Sequence, residues 1–311
     1  MTSPPLPDHP DALIGHAQAM LERNDFHGAA MAAHAALARV PGSEHAQRIY
    51  AFALNGQGRT AEALQVAWRS VTEHPQVYLA HHAYARLLLS AGQPQQALTA
   101  ANEALRLNPA AADNWVLRGD VYRALNWWDP AEADYREALR LQPDNAAALN
   151  NLAANRLQRG GTRGVIDGFV GAGRLDPEAA EVAHYNIGAA LTKWLRLANT
   201  CVIFLFVAAG VTAVLHDEGK PTVIPRIIAG LIAVVFAAVL VWIVRRVPWP
   251  TLRAVVGQRK MLAARMLFLV LAVVAGLGIS VFGPSTVASA LTVLLLPGVI
   301  VMTLIRWFTP Y

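Results

Sequence analysis

The chain has few of the residues on which several common classes of protein depend. Its 311 residues include one cysteine, so no disulfide forms within the chain. Ten histidines are present, but none belongs to a His, Cys or carboxylate cluster with metal-ligand spacing. Phosphate-binding glycine loops and nucleophile motifs are also absent from the sequence. We therefore expect neither a metal nor another cofactor, and we expect that the protein is not an enzyme.

Charged residues are scarce and unevenly divided. Residues 1–190 carry 15 arginines against 19 acidic residues, a net charge of −4. Residues 191–311 carry 11 basic residues and two acidic ones, Asp217 and Glu218, a net charge of +9. The total of +5 therefore combines two unlike halves, and the acidic first half argues against nucleic-acid binding. The basic residues of the second half lie beside apolar segments, as in proteins that meet a membrane surface.

The first half repeats itself every 34 residues. Prolines recur at this spacing, small residues occupy fixed positions between them, and a Gly or Asn stands where each unit must turn. The pattern predicts a unit of helix, turn, helix and proline stop, with closely packed helices. The prolines are Pro41, Pro75, Pro109, Pro143 and Pro177, and the turn residues are Asn24, Gly58, Gly92, Asn126 and Gly160.

In its period and its columns of small residues, this half resembles the tetratricopeptide repeat family. The fourth unit keeps the most family positions, namely Trp115, Gly119, Tyr122, Ala131, Tyr135, Ala138 and Pro143. The resemblance implies a right-handed solenoid of about five repeats over residues 11–178, with the first helix of each unit on its concave face. Residues 1–10 are predicted to be a disordered lead, and residues 179–196 a capping and connecting helix.

The predicted concave face carries a mixed set of side chains. It is basic in the second and third units, carries both charges in the fourth, and bears amides in the fifth. In the repeat family such basic and amide side chains hold peptide partners, so the resemblance implies a protein or peptide partner here; for any one residue, a solvated helix face is the alternative. The candidate partner-binding residues are Arg48, Phe52, His82, Arg86, Asp120, Arg123, Asn150 and Asn151.

The second half contains four apolar segments of 17 to 21 residues without a charge, which is the length that crosses a bilayer as a helix. We therefore predict an all-α chain in which residues 197–311 form a four-helix transmembrane bundle. The predicted spans are residues 197–215, 227–244, 266–282 and 285–305.

The distribution of basic residues predicts the orientation of these spans. Six Lys or Arg residues lie in loop 245–265, whereas no charge lies between the third and fourth spans. By the positive-inside tendency, the repeats, this loop and the C-terminus are cytoplasmic, in a plasma membrane of bacterial type. Loop 245–265 would then lie near anionic lipid, with its stretch 251–265 either an interfacial helix or a plain connecting loop.

No ionisable residue lies within the four predicted spans, which disfavours an ion or proton pathway. Small residues spaced by four, Ala229, Ala233 and Ala237 with Ala272 and Gly276, are typical of helix contacts within a bundle or between protomers of a homo-oligomer. The predicted function is a membrane-anchored scaffold whose repeats recruit a protein or peptide partner. The alternatives are a transporter or channel subunit, or an assembly subunit of a membrane complex, with a regulatory repeat domain.

Overall fold

The computed structural model describes residues 9–162, 164–176 and 180–283, apart from the side chain of Thr200. In this part of the chain all regular structure is α-helical, which confirms the predicted fold class. The chain divides into two compact units, residues 1–161 and 162–311, each described here by itself. The predicted fourth span, residues 285–305, and most of the predicted disordered lead lie outside the described residues.

The first unit contains nine of the described helices, arranged as alternating first and second helices of the repeats. First helices have 13 residues and begin at residues 10, 44, 78, 112 and 146, so each lies 34 residues after the last. The second helices α2, α4, α6 and α8 have 14 residues. The helices are α1 (Pro10–Glu22), α2 (Phe26–Arg39), α3 (Glu44–Gly56), α4 (Thr60–Glu73), α5 (Tyr78–Ser90), α6 (Pro94–Leu107), α7 (Ala112–Ala124), α8 (Trp128–Leu141) and α9 (Ala146–Gln158).

The turn inside each repeat uses a left-handed backbone conformation, as the Gly and Asn column predicts. Asn24 has φ of 59° and Asn126 has φ of 61°, and the glycines at the equivalent positions also have positive φ. This conformation ends the first helix, and in the first four repeats the second helix returns beside it. Gly and Asn adopt it at the lowest cost among the common residues, which explains why they alone occupy the column.

The turn between repeats is fixed by its proline and by side chains that bond to it. The carbonyl of Pro41 accepts a hydrogen bond of 3.2 Å from Gln47 Nε2, and that of Pro109 accepts one of 2.8 Å from Trp115 Nε1. His81 Nε2 lies 2.9 Å from the equivalent carbonyl of Pro75. A side chain six residues after each of these prolines therefore ties the start of the next helix to the turn.

The core of the first unit consists largely of alanine, because adjacent helices approach closely. Ala17, Ala51 and Ala85 are fully buried on first helices, and Ala33, Ala67 and Ala101 are buried on the second helices that face them. In the fourth unit the same two positions hold Gly119 and Tyr135. A Cβ atom on Gly119 would lie 2.6 Å from Tyr135 Cε1, so the glycine provides the space that the tyrosine ring fills.

The second unit contains five described helices, three of which are long and apolar enough to cross a membrane. These three, α11, α12 and α14, include the first three predicted spans, and α11 runs without a break through the predicted connecting helix and the first span. More than half of the apolar window of each lies on the surface of the unit. The helices are α10 (Val165–Leu175), α11 (Ala180–Asp217), α12 (Val223–Arg246), α13 (Trp249–Gln258) and α14 (Lys260–Phe282).

The stripes of small residues in the second unit pack against each other. A Cβ atom on Gly276 of α14 would lie 2.8 Å from the Cβ of Ala233 and 3.1 Å from the carbonyl oxygen of Ala229, both on α12. Ala229, Ala233 and Ala272 are fully buried. Of the two uses predicted for these stripes, the structure therefore displays the contact within the bundle.

Antiparallel packing of α12 and α14 is completed at one end by Arg226. Its Nε and Nη2 donate to the carbonyl oxygen of Ser280 at 3.2 and 3.0 Å, and Nη2 also donates to that of Val281 at 2.6 Å. These carbonyls belong to the last turn of α14, where helical partners are missing and positive charge is favourable.

Candidate functional site

The first-helix face of the repeat unit, formed by α3, α5, α7 and α9, carries all eight candidate residues. These four helices lie side by side, each in contact with the next. The period of 34 residues places equivalent side chains in rows across the face. The candidates separate into a basic group on α3 and α5 and a network of both charges on α7 and α9.

Arg48 at the start of the basic group is already engaged by its own helix. Its Nε lies 3.0 Å from Glu44 Oε1 one turn earlier, and both side chains are mostly buried. This i,i+4 pair holds the guanidinium against α3. Arg48 therefore contributes to the shape and charge of the face, but its charge is balanced within the face.

His82 on α5 is held in one orientation by Asn114 on α7. Asn114 is 1% exposed, and its Nδ2 donates to the carbonyl oxygens of Ala104 and Asn108 at 3.1 and 3.0 Å. Its Oδ1 is therefore left as an acceptor, 2.9 Å from His82 Nδ1, so the proton of a neutral His82 lies on Nδ1.

The surroundings of His82 favour this neutral form. Burial lowers the pKa of His82, and the positive charges of Arg86 and Arg48 lower it further. The hydrogen bond to Asn114 and the carboxylate of Asp113 act in the opposite direction. His82 is thus a hydrogen-bonding group of the face rather than one of its cations.

Arg86 differs from the other two arginines of the face. Its guanidinium carbon lies 4.6 Å from the centre of the Phe52 ring, in a cation–π contact. Within the part of the chain that the structure describes, no carboxylate lies at ion-pair distance from it. The side chain is exposed, yet the surrounding protein removes enough water to lower the pKa of Arg86, while Asp113 and Asp120 act in the opposite direction. The ring of Phe52 thus positions a cation that faces solvent without a direct counter-ion.

Asp120 is the centre of the second group. Its Oδ1 accepts hydrogen bonds from Tyr135 Oη at 2.7 Å and from Asn151 Nδ2 at 2.9 Å, and lies 3.7 Å from Arg123 Nη2. Burial raises the pKa of the Asp120 carboxyl, whereas these donors and the charge of Arg86 stabilise its ionised form. The network joins α7, α8 and α9, and so links the fourth repeat to the fifth.

The two adjacent asparagines are bound to this network. Asn151 donates to Asp120, and its Oδ1 accepts a hydrogen bond of 3.2 Å from Asn150 Nδ2. Equivalent positions in three earlier units are the buried Ile49, Ala83 and Leu117, whereas Asn151 is half-buried. Its amide therefore links α9 to α7. A partner could use only the hydrogen-bonding capacity of Asn151 that these two bonds leave over.

Three further residues shape the face and escaped the sequence-based selection. Tyr135 holds Asp120, Asn114 orients His82, and Asp113 influences the charges of both His82 and Arg86. The sequence did mark two of them as unusual. Asn114 stands where other repeats have alanine, at 46, 80 and 148, and Tyr135 stands where other repeats have alanine, at 33, 67 and 101. A polar or large residue at a repeat position that otherwise holds alanine therefore identifies a residue of this network more directly than the polar positions do.

Within the described residues, no three His, Cys, Asp or Glu side chains come together as a group able to hold a metal ion. His81 and His82, although adjacent, serve different neighbours, a turn carbonyl and an amide. The chemistry that the face offers is therefore hydrogen bonding, one exposed guanidinium and one exposed carboxylate, Asp113.

Comparison with known proteins agrees with this geometry. Residues 14–77 and 83–146 match the family model described as tetratricopeptide repeat. Over 80 residues the chain is 36% identical to the probable UDP-N-acetylglucosamine–peptide N-acetylglucosaminyltransferase SEC of Arabidopsis thaliana. That match covers 26% of this chain and 8% of the plant protein, so the chain spans less than a tenth of that relative's length.

A solved structure of a TPR protein shows the same repeat fold. A thermophilic TPR protein of Thermus thermophilus superposes with a TM-score of 0.55 at 21% identity, over 59% of this chain and all of the other. MamA from Desulfovibrio magneticus RS-1 gives a TM-score of 0.44 at 17% identity, over 56% of this chain and 98% of that one.

Proposed function

We propose that this protein, whose repeat region belongs to the tetratricopeptide repeat family, is a membrane-anchored scaffold. Repeats of this family are protein-interaction modules, and the proposal concerns what they bind here and where. The first-helix face takes up an extended segment of a protein partner. Recruitment to the membrane raises the local concentration of that partner, and no bond is made or broken.

The observation that carries this proposal is the state of Arg86. Arg48 and Arg123 each have a carboxylate neighbour, at 3.0 and 3.7 Å, whereas Arg86 has the ring of Phe52 and no ion-pair partner among the described residues. A guanidinium held by an aromatic ring offers two parallel donors to a carboxylate. A partner carboxylate at this point would make a charge-assisted contact that the face itself does not supply.

The remainder of the face predicts the character of the segment. The Asp120 carboxylate is occupied by Tyr135 and Asn151, whereas Asp113 is exposed and makes only a weak contact of 3.4 Å with Asn145. Exposed groups of opposite sign close to each other favour a partner of mixed charge. We expect an acidic residue at Arg86 and a basic residue near Asp113, rather than a run of acidic residues.

The membrane part of the proposal is supported by the second unit. Three of its described helices are long and apolar enough to span, with large apolar side chains such as Phe204, Leu231 and Leu267 more than 60% exposed. Exposed apolar surface of this extent is unfavourable in water and favourable in lipid. From the basic residues of loop 245–265, which includes the helix α13, we infer that the repeats are on the cytoplasmic side of a plasma membrane and that the loop is near anionic lipid.

Selection from a random peptide library tests the binding proposal. The full-length protein, reconstituted in lipid nanodiscs, would be the target, and each selected peptide would be measured against two variants. Arg86→Ala removes the proposed anchor. Arg69→Ala is the matched control, because Arg69 is an exposed arginine on the second helix α4, paired with Glu73.

We expect the selected peptides to contain an Asp or Glu at a shared position. Loss of a charge-assisted hydrogen-bonded pair predicts that Arg86→Ala weakens their binding by about tenfold or more. Arg69→Ala should leave it unchanged. Peptides that bind wild type and Arg86→Ala equally well would overturn the proposed role of this face.

A further inference from the structure

A buried guanidinium without a counter-ion lies at one end of the apolar helices of the second unit. Arg265, in the second turn of α14, is 3% exposed, and its Nε has no hydrogen-bond partner among the described residues. In the same part of the chain it forms no ion pair with any carboxylate. The positive charge of Arg196, on the neighbouring helix α11, acts on it as well. Burial and a second cation therefore both disfavour the charge of Arg265.

A second buried polar side chain lies about one turn from Arg196 on α11. Asn199 stands three residues after Arg196, on the same side of α11, and is 5% exposed. Neither Nδ2 nor Oδ1 of Asn199 has a hydrogen-bond partner in the described structure. Buried amides and buried charges normally have partners, because a bare one carries the full cost of lost hydration. The missing partners of Arg265 and Asn199 are those that a ligand with negative charge and hydrogen-bonding groups would supply.

Two acidic residues of the same unit, Asp167 and Asp217, are engaged or distant. Asp167 is paired with Arg246 at 2.8 Å. Asp217 lies 21 residues beyond Arg196 on the same helix, a separation of about 30 Å at the helical rise. The charge that would balance Arg265 is thus missing from these parts of the unit.

The position of the cluster indicates which anion it meets. Arg196 and Arg265 immediately precede the predicted spans 197–215 and 266–282, at the same end of the unit where α12 finishes with Arg245 and Arg246. In a bilayer this is the level of the lipid phosphates of one leaflet. Basic pockets between membrane helices at this level are suited to anionic headgroups.

We propose that Arg265, Arg196 and Asn199 form a binding site for the phosphate of an anionic phospholipid whose headgroup carries hydroxyls. The guanidinium groups and Asn199 Nδ2 donate to phosphate oxygens, and Asn199 Oδ1 accepts from a headgroup hydroxyl. The site rests on the proposed membrane insertion, because a lipid is the source of the phosphate. It goes beyond a general attraction of loop 245–265 to anionic lipid, since it assigns one phosphate to three named side chains.

The test counts lipids retained by the full-length protein in native mass spectrometry. Detergent-solubilised protein would be titrated with phosphatidylglycerol, with phosphatidylcholine, and with inorganic phosphate alone. Arg265→Gln removes the buried charge. Asn199→Asp places a carboxylate one turn from Arg196 and so supplies negative charge within the site, in a chain that we expect to fold because the charge is then better balanced. Arg253→Gln, on the exposed face of α13, is the matched control for diffuse surface charge.

We expect wild type to retain phosphatidylglycerol in preference to phosphatidylcholine. Loss of hydrogen bonds to a charged group predicts that Arg265→Gln and Asn199→Asp weaken retention by about tenfold or more. Arg253→Gln, which removes one exposed surface charge, should weaken phosphatidylglycerol retention by less than about fivefold.

Three outcomes would overturn the site. Equal losses in Arg265→Gln and Arg253→Gln would show diffuse attraction, and equal retention of the two lipids would show no headgroup preference. Displacement of phosphatidylglycerol by millimolar inorganic phosphate would assign the site to the free anion. Insertion into vesicles and peptide binding at Arg86 are measured on the same preparations, so failure of the lipid site is distinguishable from failure of the scaffold proposal.

Discussion

Asn114 shows how a single residue organises the first-helix face. All four other repeats have alanine at its position, and in three of them this alanine is buried where helices pack closely. Between the third and fourth repeats, the Asn114 amide instead donates to two backbone carbonyls and orients His82. The charges of Arg86 and Arg48 then surround a neutral imidazole rather than a third cation. One substitution within a packing column therefore sets the hydrogen-bonding character of the basic group.

The lowered pKa of His82 predicts a pH dependence at this residue. The native state binds a proton at His82 less readily than the unfolded state, so this side chain contributes stability above the unfolded pKa of about 6.5 that is lost as the pH falls through that value. Hydrogen exchange of the α5 and α7 amides should therefore show weaker protection at pH 5.5 than at pH 7. His82→Asn, which keeps an amide where unit five has Asn150, should reduce the difference.

The control for this prediction is His27→Asn, on an exposed position of α2. This variant should retain the wild-type loss of protection in α5 and α7 on acidification. A loss of the same size in His82→Asn would show that another group causes the pH dependence.

In each of the first four repeats, the side chains that face each other across the two helices are matched in size. The fourth repeat pairs a glycine with a tyrosine and so allows this match to be tested. Gly119 on α7 and Tyr135 on α8 replace the alanine pairs of units one to three. Gly119→Ala would place a Cβ 2.6 Å from the tyrosine ring, and overpacking of this kind costs about 1–3 kcal/mol. The double variant Gly119→Ala with Tyr135→Ala recreates the alanine pair.

Hydrogen exchange of the α7 and α8 amides measures the stability of wild type, the two single variants and the double variant in the full-length protein. We expect the double variant to be less destabilised than the sum of the two single variants, because the clash disappears with the ring. Purely additive losses would contradict the size match.

The contact between α12 and α14 offers a similar test with a built-in control. Gly276 faces Ala233 and Ala229 at contact distance, whereas a Cβ on Gly278 meets nothing within 4 Å. Gly276→Ala should lower stability by about 1–3 kcal/mol, and Gly278→Ala should be neutral or slightly stabilising. Labelling of the half-buried Cys201 thiol during thermal unfolding reports on this unit alone. Equal effects of the two variants would show that the stripe does not hold the helices together.

Element boundaries were the most predictable feature, for a physical reason. Each repeat solves the same packing problem, so turn residues, small residues and prolines must recur at one period, and five copies make the register unambiguous. The pairing of Arg48 with Glu44 was equally readable, being an i,i+4 pair on one helix, although the selection of site residues overlooked it. For loop 245–265 the sequence allowed a helix or a plain loop, and the structure has the helix α13.

The polar network of the face was beyond sequence reasoning. Tyr135, Asp120 and Asn151 come from three helices, with 15 and 31 residues separating the bonded pairs. Such contacts depend on how one repeat is placed on the next, which the period alone does not specify. Asn151 was predicted to lie on the partner-binding face, and that role remains a proposal. The structure adds that its amide is already bonded to Asp120.

At the scale of the whole molecule, the orientation of the chain in a membrane is the property on which recruitment depends. The positive-inside tendency places the segment between α11 and α12, which contains Glu218, outside the cell. Glu218→Cys in a Cys201→Ser background should react with a membrane-impermeant maleimide added to intact cells. Arg253→Cys in the same background should react only after the membrane is opened. The reverse pattern would contradict the proposed topology.

The central claim is that Arg86 on the first-helix face meets a carboxylate of an extended partner segment. A charge exchange between the two sides tests it most directly. For a selected peptide, binding would be measured for wild type and Arg86→Glu, each with the original acidic residue and with lysine in its place. The account predicts that either single reversal weakens binding by about tenfold or more, and that the double reversal recovers much of the loss. A double reversal no stronger than the two single reversals would contradict the claim.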